Sequence, residues 1–382
     1  MIPGSAEGWN AGCCQNAMRI HICDYYGMSD DISVLVMGTG RMGSGFARLV
    51  LDKPGMELVG SYVIWRGSDG MDLGQAIGLE RDLGLALGND LAAVIEQTRP
   101  EIAIQATCSR VVDARDELET LVHHGVHVIS IAEQLVYTAC SSPSFARDLQ
   151  EMAVARDVAV LGTGINPGFV LDLLIIALTG VCADVHSIKA RRVNDLSPYG
   201  PSVLAAQGVG LSPAEFDRGL AEGRVAGHYG FAESIHLIGA ALGWQITRIE
   251  ETREPIIASI RRETPAVVVE PGEVAGCNHR AVAYREEQPV ITLMHPQQVH
   301  PELEGVATED VIEITGAPDI RLAGSPEIPG GQGTVALAVN MIPRVLSAPP
   351  GLHTMAELPV PAALLGDVRH RLRGSRQASR HG

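Results

Sequence analysis

One acidic residue, Glu133, stands where an apolar run gives out, in Ser130-Ile131-Ala132-Glu133-Gln134. A carboxylate at a strand end, partly shielded from water, has its pKa pushed upward and can exchange protons with an amine or with water. The same residue type is also favoured in the first turn of a helix by the helix dipole, so both readings stand at this point. A second pattern, Gly38-Thr39-Gly40-Arg41-Met42-Gly43, follows directly on the apolar run Val34-Leu35-Val36-Met37. Gly38 allows a tight turn, Gly40 lets backbone approach a pyrophosphate and Gly43 lets a helix pack on a strand. The unpaired N–H groups of that helix then face the phosphates. The order of strand, turn and helix start predicts a bound dinucleotide.

Other strand ends supply further candidates, because ligands of open α/β sheets bind beyond the carboxyl ends of the strands. The second strand ends at Ile64-Trp65-Arg66-Gly67-Ser68, with no carboxylate for a ribose 2′-hydroxyl. Arg66 and Ser68 suit a 2′-phosphate, with Arg41 as a second cation, which favours NADP and leaves NAD as the alternative; a solvated loop arginine is the competing reading for Arg66. Thr107 and Cys108 place small polar groups beside the expected nicotinamide, and Cys108 is either a thiolate nucleophile or, preferred here, a small residue lining the cofactor channel. In Gly164-Ile165-Asn166-Pro167-Gly168-Phe169, Asn166 is expected to cap a helix with Pro167 at its first position, or to bond a ligand amine or carboxamide. His228 is the histidine best placed to face a substrate, and no histidine or cysteine spacing predicts a metal.

The elements that hold these residues alternate. From Ile32 to about Val160 the pattern is strand and helix by turns, with helices expected at 73–87, 91–98, 112–124 and 143–156 and strands at 102–107, 126–131 and 158–161. That rhythm predicts an N-terminal Rossmann domain, a doubly wound parallel sheet in the α/β class. Beyond it, a helix at 169–179 leads into a strand at 185–194, helices follow at 213–222 and 231–242, and strands are expected at 245–251, 256–262, 266–270, 279–284, 290–295 and 311–315. These predict a C-terminal α+β domain with a mostly antiparallel sheet. An apolar helix at 334–346 is expected to return to the first domain. The resulting boundaries are a disordered leader at 1–30, the Rossmann domain at 31–166, the α+β substrate and dimerisation domain at 167–333, the helical return at 334–370 and a flexible tail at 371–382.

Composition narrows the function. The chain has 382 residues, with 29 Lys and Arg against 45 Asp and Glu and a net charge of −16, and its charges are scattered. Nucleic-acid and anionic-membrane partners are therefore not expected. Seven cysteines without a Cys-x-x-Cys pair predict reduced thiols and a cytoplasmic location. No apolar run reaches the roughly 18 residues that would span a bilayer.

Taken together, these motifs resemble the 2,4-diaminopentanoate dehydrogenases and the related native amine dehydrogenases, which share the fold of dihydrodipicolinate reductase. The resemblance runs from about Ser33 to Pro361. It is carried by the glycine loop, Ile131-Ala132-Glu133-Gln134, the stretch from Gly162 to Asp172, Gly227-His228-Tyr229-Gly230-Phe231-Ala232-Glu233-Ser234, and Val339-Asn340-Met341-Ile342-Pro343-Arg344-Val345. It implies NAD(P)-dependent oxidative deamination of a primary amine to a ketone and ammonia, reversible as reductive amination, in a homodimer whose site lies between the domains. It assigns the acid–base role to Glu133, places Asn166 and Asn340 among the cofactor contacts and draws Asn166, Phe169 and His228, with Glu133, toward the substrate. A diamino acid would also need partners for its carboxylate and second ammonium, for which Arg191, Arg192, Asn194 and Asp195 are candidates. The competing readings are a ketone, aldehyde or imine reductase of the same fold and a non-catalytic dinucleotide sensor.

Overall fold

A computed structural model describes residues 31–372. The expected leader at 1–30, with Cys13, Cys14 and Cys23, and residues 373–382 of the expected tail lie outside the described residues. In chain order the first sheet takes β1 (Ile32–Met37), β2 (Met56–Tyr62), β3 (Leu87–Gly88), β4 (Ile102–Gln105), β5 (His127–Ser130) and β6 (Ala159–Gly162). Between them lie α1 (Arg41–Leu51), α2 (Leu73–Ala76), α3 (Leu91–Thr98), α4 (Val111–His123), α5 (Thr138–Ser141) and α6 (Pro143–Ala155). The second part contains α7 (Leu173–Thr179), β7 (Asp184–Asp195), α8 (Pro201–Ala206), α9 (Pro213–Ala221), α10 (Phe231–Leu242), β8 (Arg248–Ile257), the short hairpin β9 (Arg262–Glu263) and β10 (Val268–Val269), β11 (Val274–Arg285), β12 (Gln288–Gln298), β13 (Glu309–Ala317) and β14 (Ile320–Gly324). The chain closes with α11 (Gly330–Val345) and β15 (Gly351–His353).

The first sheet has the order β15-β6-β5-β4-β1-β2-β3, with every pairing parallel. Its strands are nearly continuous apolar runs because both faces are covered. One face packs under α1 and α11 through Phe46, Val50, Leu337 and Met341, and the other under α3, α4 and α6 through Val94, Leu118 and Leu149. The strand order reverses between β1 and β4, which opens a crevice beyond their carboxyl ends. The second sheet, β14-β13-β7-β12-β11-β8, is antiparallel except for the β7–β12 pair. Its inner face packs Ile188, Ala190, Leu293 and Ile312 against Phe231, Ile235 and Ile238 of α10. Its outer face carries the exposed Lys189, Arg191, Arg280 and Glu313.

Expectations change at α2, α7, the first sheet's edge and the tail, and the strands expected at 245–251 and 256–262 merge into β8. The helix expected at 73–87 is only one turn, because Gly74, Gly78 and Gly84 weaken it and the Asp72 carboxylate gathers the N–H groups of Gly74, Leu83 and Gly84 into a loop. The helix expected from 169 begins at Leu173, so Asn166 does not cap it; Asp172 does. The last parallel strand is β15 rather than the strand at 158–161, and Leu372, expected within the tail, is buried in the core of the first domain.

Candidate active site

The glycine loop has the geometry its spacing implies. Gly38 takes φ +94° and donates to the Tyr62 carbonyl at 2.7 Å, tying the ends of β1 and β2 together. A Cβ on Gly43 would overlap the Gly38 carbonyl, so the close approach of α1 to β1 requires glycine there. A Cβ on Gly40, the N-cap of α1, would meet no atom within 4 Å. Nothing among the described residues demands glycine at that position, whereas a pyrophosphate lying against the helix N-terminus does. Thr39 accepts from the Ser44 hydroxyl through its carbonyl at 2.9 Å, and Met42 packs on the core. The loop fits a dinucleotide.

Arg41 opens α1 directly after Gly40. Its guanidinium lies 5.5 Å over the Tyr199 ring, and both residues line a cavity of about 540 Å³ with Asp195, Glu302 and Gly330. Ser68 closes a 3-10 turn at Arg66–Ser68, three residues beyond β2, with the exposed Trp65 beside it; the Arg66 side chain lies outside the described residues. Asn340 sits in α11, where its Oδ1 accepts from the Leu364 N–H at 3.1 Å and ties the helix to the segment after β15.

Glu133 opens a short 3-10 turn, Glu133–Leu135, directly after β5. Its Oε2 is buried with no hydrogen-bond partner. Burial pushes its pKa up to about 7, although hydrogen bonds from its own backbone N–H and from Ser109 favour the charged form; the nearby Glu233 carboxylate adds to the rise. Both readings of the residue are thus realised in one place, since it is a first-turn glutamate and also a desolvated acid with a free oxygen. Glu233, on the first turn of α10, is itself buried and pushed upward by desolvation.

Cys108 does not have the environment of an activated nucleophile. Burial raises its pKa, and its sulfur accepts from Gln105 Nε2 at 3.3 Å. Thr107 is held by Glu117, to which its hydroxyl donates.

The loop after β6 brings the remaining candidates in. Both polar atoms of the Asn166 side chain are buried without partners. The next residue, Pro167, packs so tightly on Gly230 that a Cβ there would overlap its ring. Gly230 lies one residue before α10 and two after His228. Phe169 touches both the first-domain core and the α10 core, and so sits at the joint of the two domains. His228 is partly buried: its ring meets His295 at 4.9 Å and Phe231 at 5.0 Å between centroids. Burial first, then the charges of His295, His279 and Arg192, hold it neutral, and its Nε2 has no partner.

Beneath His228 the inner face of the second sheet changes from apolar to polar. Register partners Asp310 and Arg192, then His295 and His279, then His279 and Arg253, form one row across five strands. Arg192 donates to Asp310 and to the Ile328 carbonyl, each at 2.5 Å, and its carbonyl pairs with His295 Nδ1 at 2.8 Å. Burial beside Arg192 pushes His295 down to about 3. His279 pairs with Glu251 at 3.1 Å. Farther along the same face, Asn194 Oδ1 and Gln297 Nε2 are buried without partners, although the two residues are neighbours in the β7–β12 register. Arg191 and Asp195 are otherwise engaged. Arg191 pairs with Glu309 at 3.1 Å on the outer face, and Asp195 accepts from Ser197 and from the His300 N–H.

Sequence reasoning missed Gln297, His295 and Glu233 as polar groups of this region. The signal for the first two was a polar residue at every second position, His295 and Gln297, in a strand whose earlier inward positions, Ile291 and Leu293, are apolar.

Comparison with known proteins places these features. Residues 32–131 match the family profile described as dihydrodipicolinate reductase, N-terminus, and residues 169–374 match the 2,4-diaminopentanoate dehydrogenase C-terminal domain. A 2,4-diaminopentanoate dehydrogenase of Acetoanaerobium sticklandii is 42% identical over 343 residues, covering 89% of this chain and 97% of that protein. An amine dehydrogenase of Streptomyces virginiae is 26% identical over 359 residues, covering 87% and 98%. The solved amine dehydrogenase of Mycobacterium smegmatis superposes with a TM-score of 0.79 at 30% identity, covering 87% of this chain and 97% of that one.

Proposed function

Since this chain belongs to the 2,4-diaminopentanoate dehydrogenase family, we propose that it deaminates a primary amine oxidatively to a ketone and ammonia, and runs the reverse reductive amination, with Glu133 handling the protons. The observation that carries this reading is the buried, unpartnered Oε2 of Glu133 beside the crevice at the sheet's switch point. A bound nicotinamide supplies the chemistry of hydride acceptance from the amine carbon, or of its return. The residues of the chain do the rest. As a carboxylate, Glu133 stabilises the cationic iminium and takes a proton from the attacking water; as an acid it returns a proton to the departing nitrogen. A pKa near 7 keeps both forms populated at neutral pH. Asn166, with both amide atoms free and buried, orients an amine or the cofactor carboxamide.

The substrate class follows from the polar end of the second sheet. Asn194 Oδ1 accepts and Gln297 Nε2 donates, and neither is satisfied among the described residues. Buried groups of this kind are costly unless an outside group pairs with them. A diamino acid does so, its ammonium toward Asn194 and its carboxylate toward Gln297, with the neutral His228 beside them. A simple alkyl amine does not.

NADP is the proposed coenzyme, supported by the lack of a carboxylate between the end of β2 and Ser68 and by Arg66 and Ser68 in its place. A homodimer is proposed through the outer face of the second sheet, where Lys189, Arg191 and Arg280 lie exposed beside Glu313. A cytoplasmic location is proposed from the unpaired cysteines; among the described residues, no helix is long and apolar enough to cross a membrane. The test is oxidation of NADPH and NADH by the purified protein with ammonium and 2-amino-4-oxopentanoate, cyclohexanone or a linear methyl ketone. Ammonium-dependent oxidation, fastest with the amino ketone and with NADPH, is the expected result. Oxidation without ammonium would replace the proposal with a ketone reductase, and none with any ketone would replace it with a dinucleotide sensor.

A further inference from the structure

A buried hydrogen-bonded chain runs beneath the two strand ends that flank the site. Glu117 lies on the inward face of α4 among Ala114, Leu118 and Leu121, and is only 7% exposed. Its Oε2 accepts from Gln105 Nε2 at 3.0 Å and from the Thr107 hydroxyl. Gln105 ends β4, and its register partner Ser130 ends β5; both are fully buried. The Ser130 hydroxyl donates to Gln105 Oε1 at 2.5 Å and accepts from the Ala132 N–H at 3.0 Å. Ala132 immediately precedes Glu133. From the other side, the Val111 N–H at the start of α4 donates to Gln134 Oε1 at 3.0 Å.

This wiring has a direction. A carboxylate only accepts, so Glu117 fixes the Gln105 amide with its NH₂ toward α4 and its oxygen toward Ser130. That leaves the Ser130 hydroxyl to donate to Gln105 and to accept from Ala132. Thr107, at the expected nicotinamide, is set by the same oxygen. A carboxylate is expensive at such a site, and an apolar residue would continue the α4 stripe at lower cost. Its presence there is explained by what it orients.

We propose that Glu117 is a positioning residue which, through Gln105 and Ser130, sets the Ala132–Glu133 turn and holds the Glu133 carboxylate in register with the Thr107 side of the cleft. It acts through other residues and touches neither substrate nor cofactor. The inference rests on the assignment of Glu133 as the acid–base group, and the experiment separates the two.

The full-length variants Glu117→Leu, Ser130→Ala, the double variant and Glu133→Gln are assayed for ammonium-dependent NADPH oxidation with 2-amino-4-oxopentanoate across pH. Glu117→Leu removes the oxygen that accepts from Gln105 and Thr107 and so frees the direction of the chain, whereas Ser130→Ala cuts it next to Glu133 with the loss of one hydroxyl. Each single variant should lower kcat about 10- to 100-fold, leave the NADPH dissociation constant within about threefold, and move the midpoint of the kcat–pH profile. The double variant should be no worse than the poorer single one, because both break the same chain. Multiplying effects, or a folded Ser130→Ala with kcat and pH midpoint unchanged, would overturn the proposal. If those variants are unaffected while Glu133→Gln is inactive, the relay alone is wrong; if Glu133→Gln turns over normally, the assignment beneath it is wrong as well.

Discussion

The Ser234 hydroxyl donates to Asp172 Oδ2 at 2.8 Å, and both residues are fully buried. The same carboxylate accepts from the N–H groups of Gly168 at 2.7 Å and Leu173 at 2.6 Å. One side chain thus ties together the loop carrying Asn166, the start of α7 and the first turn of α10. Replacing Asp172 with Ala strands two backbone donors and a hydroxyl, at about 1–3 kcal/mol for each buried group left unpaired. A loss of about 3 kcal/mol or more is expected in urea unfolding, with Asp172→Asn falling between it and the parent. Equal stabilities for Asp172→Ala and the parent would show that the loop is held by other contacts.

Gly40 and Gly43 should separate fold from ligand. Gly43→Ala forces a Cβ onto the Gly38 carbonyl and should lower the melting temperature as well as dinucleotide affinity. Gly40→Ala meets open space and should melt like the parent while binding NADPH at least about tenfold more weakly, since the added methyl stands where the pyrophosphate approaches. NADPH titration by fluorescence, with melting curves beside it, reads both. Parental affinity in Gly40→Ala would place the pyrophosphate elsewhere.

Glu133 gives a pH-dependent stability difference. Its pKa is raised to about 7 from the usual 4.5 by desolvation, so the native state binds more protons than the unfolded chain between those values. Stability therefore falls as pH rises through that window. Glu133→Gln removes the titration and should melt higher than the parent at pH 8, by an upper bound of about 3 kcal/mol, with the gap closing toward pH 5. The same variant should lose deamination and keep NADPH binding. A melting difference that does not change with pH would show that Glu133 titrates as an ordinary exposed acid.

Cys108 offers a simple exclusion. Its thiol is pushed up by burial and bonded to Gln105, so a thioester route has no ready nucleophile. Cys108→Ser should keep kcat within about threefold of the parent, because a hydroxyl of similar size can accept the same bond. Loss of turnover with intact cofactor binding would restore the covalent alternative.

Much of the site was legible in the sequence because it is built on short-range order. The apolar run into Gly38 and the strand end at Glu133 each announce themselves within ten residues, and the position of each in a parallel sheet follows from strand and helix alternation. What was not legible depends on pairing between distant strands. Asp310, Arg192, His295, His279 and Arg253 form one row only because four strand pairings bring them into register. Asn166 lost its expected capping role to Asp172, six residues on, because a carboxylate that collects two N–H groups and a hydroxyl anchors the helix start more firmly than an amide. Glu117 left a trace that was passed over: an acid in the apolar stripe of α4, facing a glutamine that interrupts the apolar run of β4.

Substrate preference is where that long-range register becomes measurable. Asn194 and Gln297 lie side by side on β7 and β12, each with a buried polar atom that nothing among the described residues satisfies. If an amino-acid substrate pairs with them, Asn194→Leu and Gln297→Leu each remove about one hydrogen bond to a charged group, roughly tenfold or more in kcat/KM. Binding of a simple methyl ketone uses neither group and should be unchanged or tighter, because leucine relieves the unpaired atom. The quantity to measure is the ratio of kcat/KM for 2-amino-4-oxopentanoate over that for a linear methyl ketone, with ammonium saturating. A fall of about tenfold in each variant supports recognition of the second ammonium and the carboxylate at this end of the sheet. A constant ratio, with both ketones affected alike, would mean that these two residues serve only the packing of β7 on β12 and that the diamino acid is recognised elsewhere.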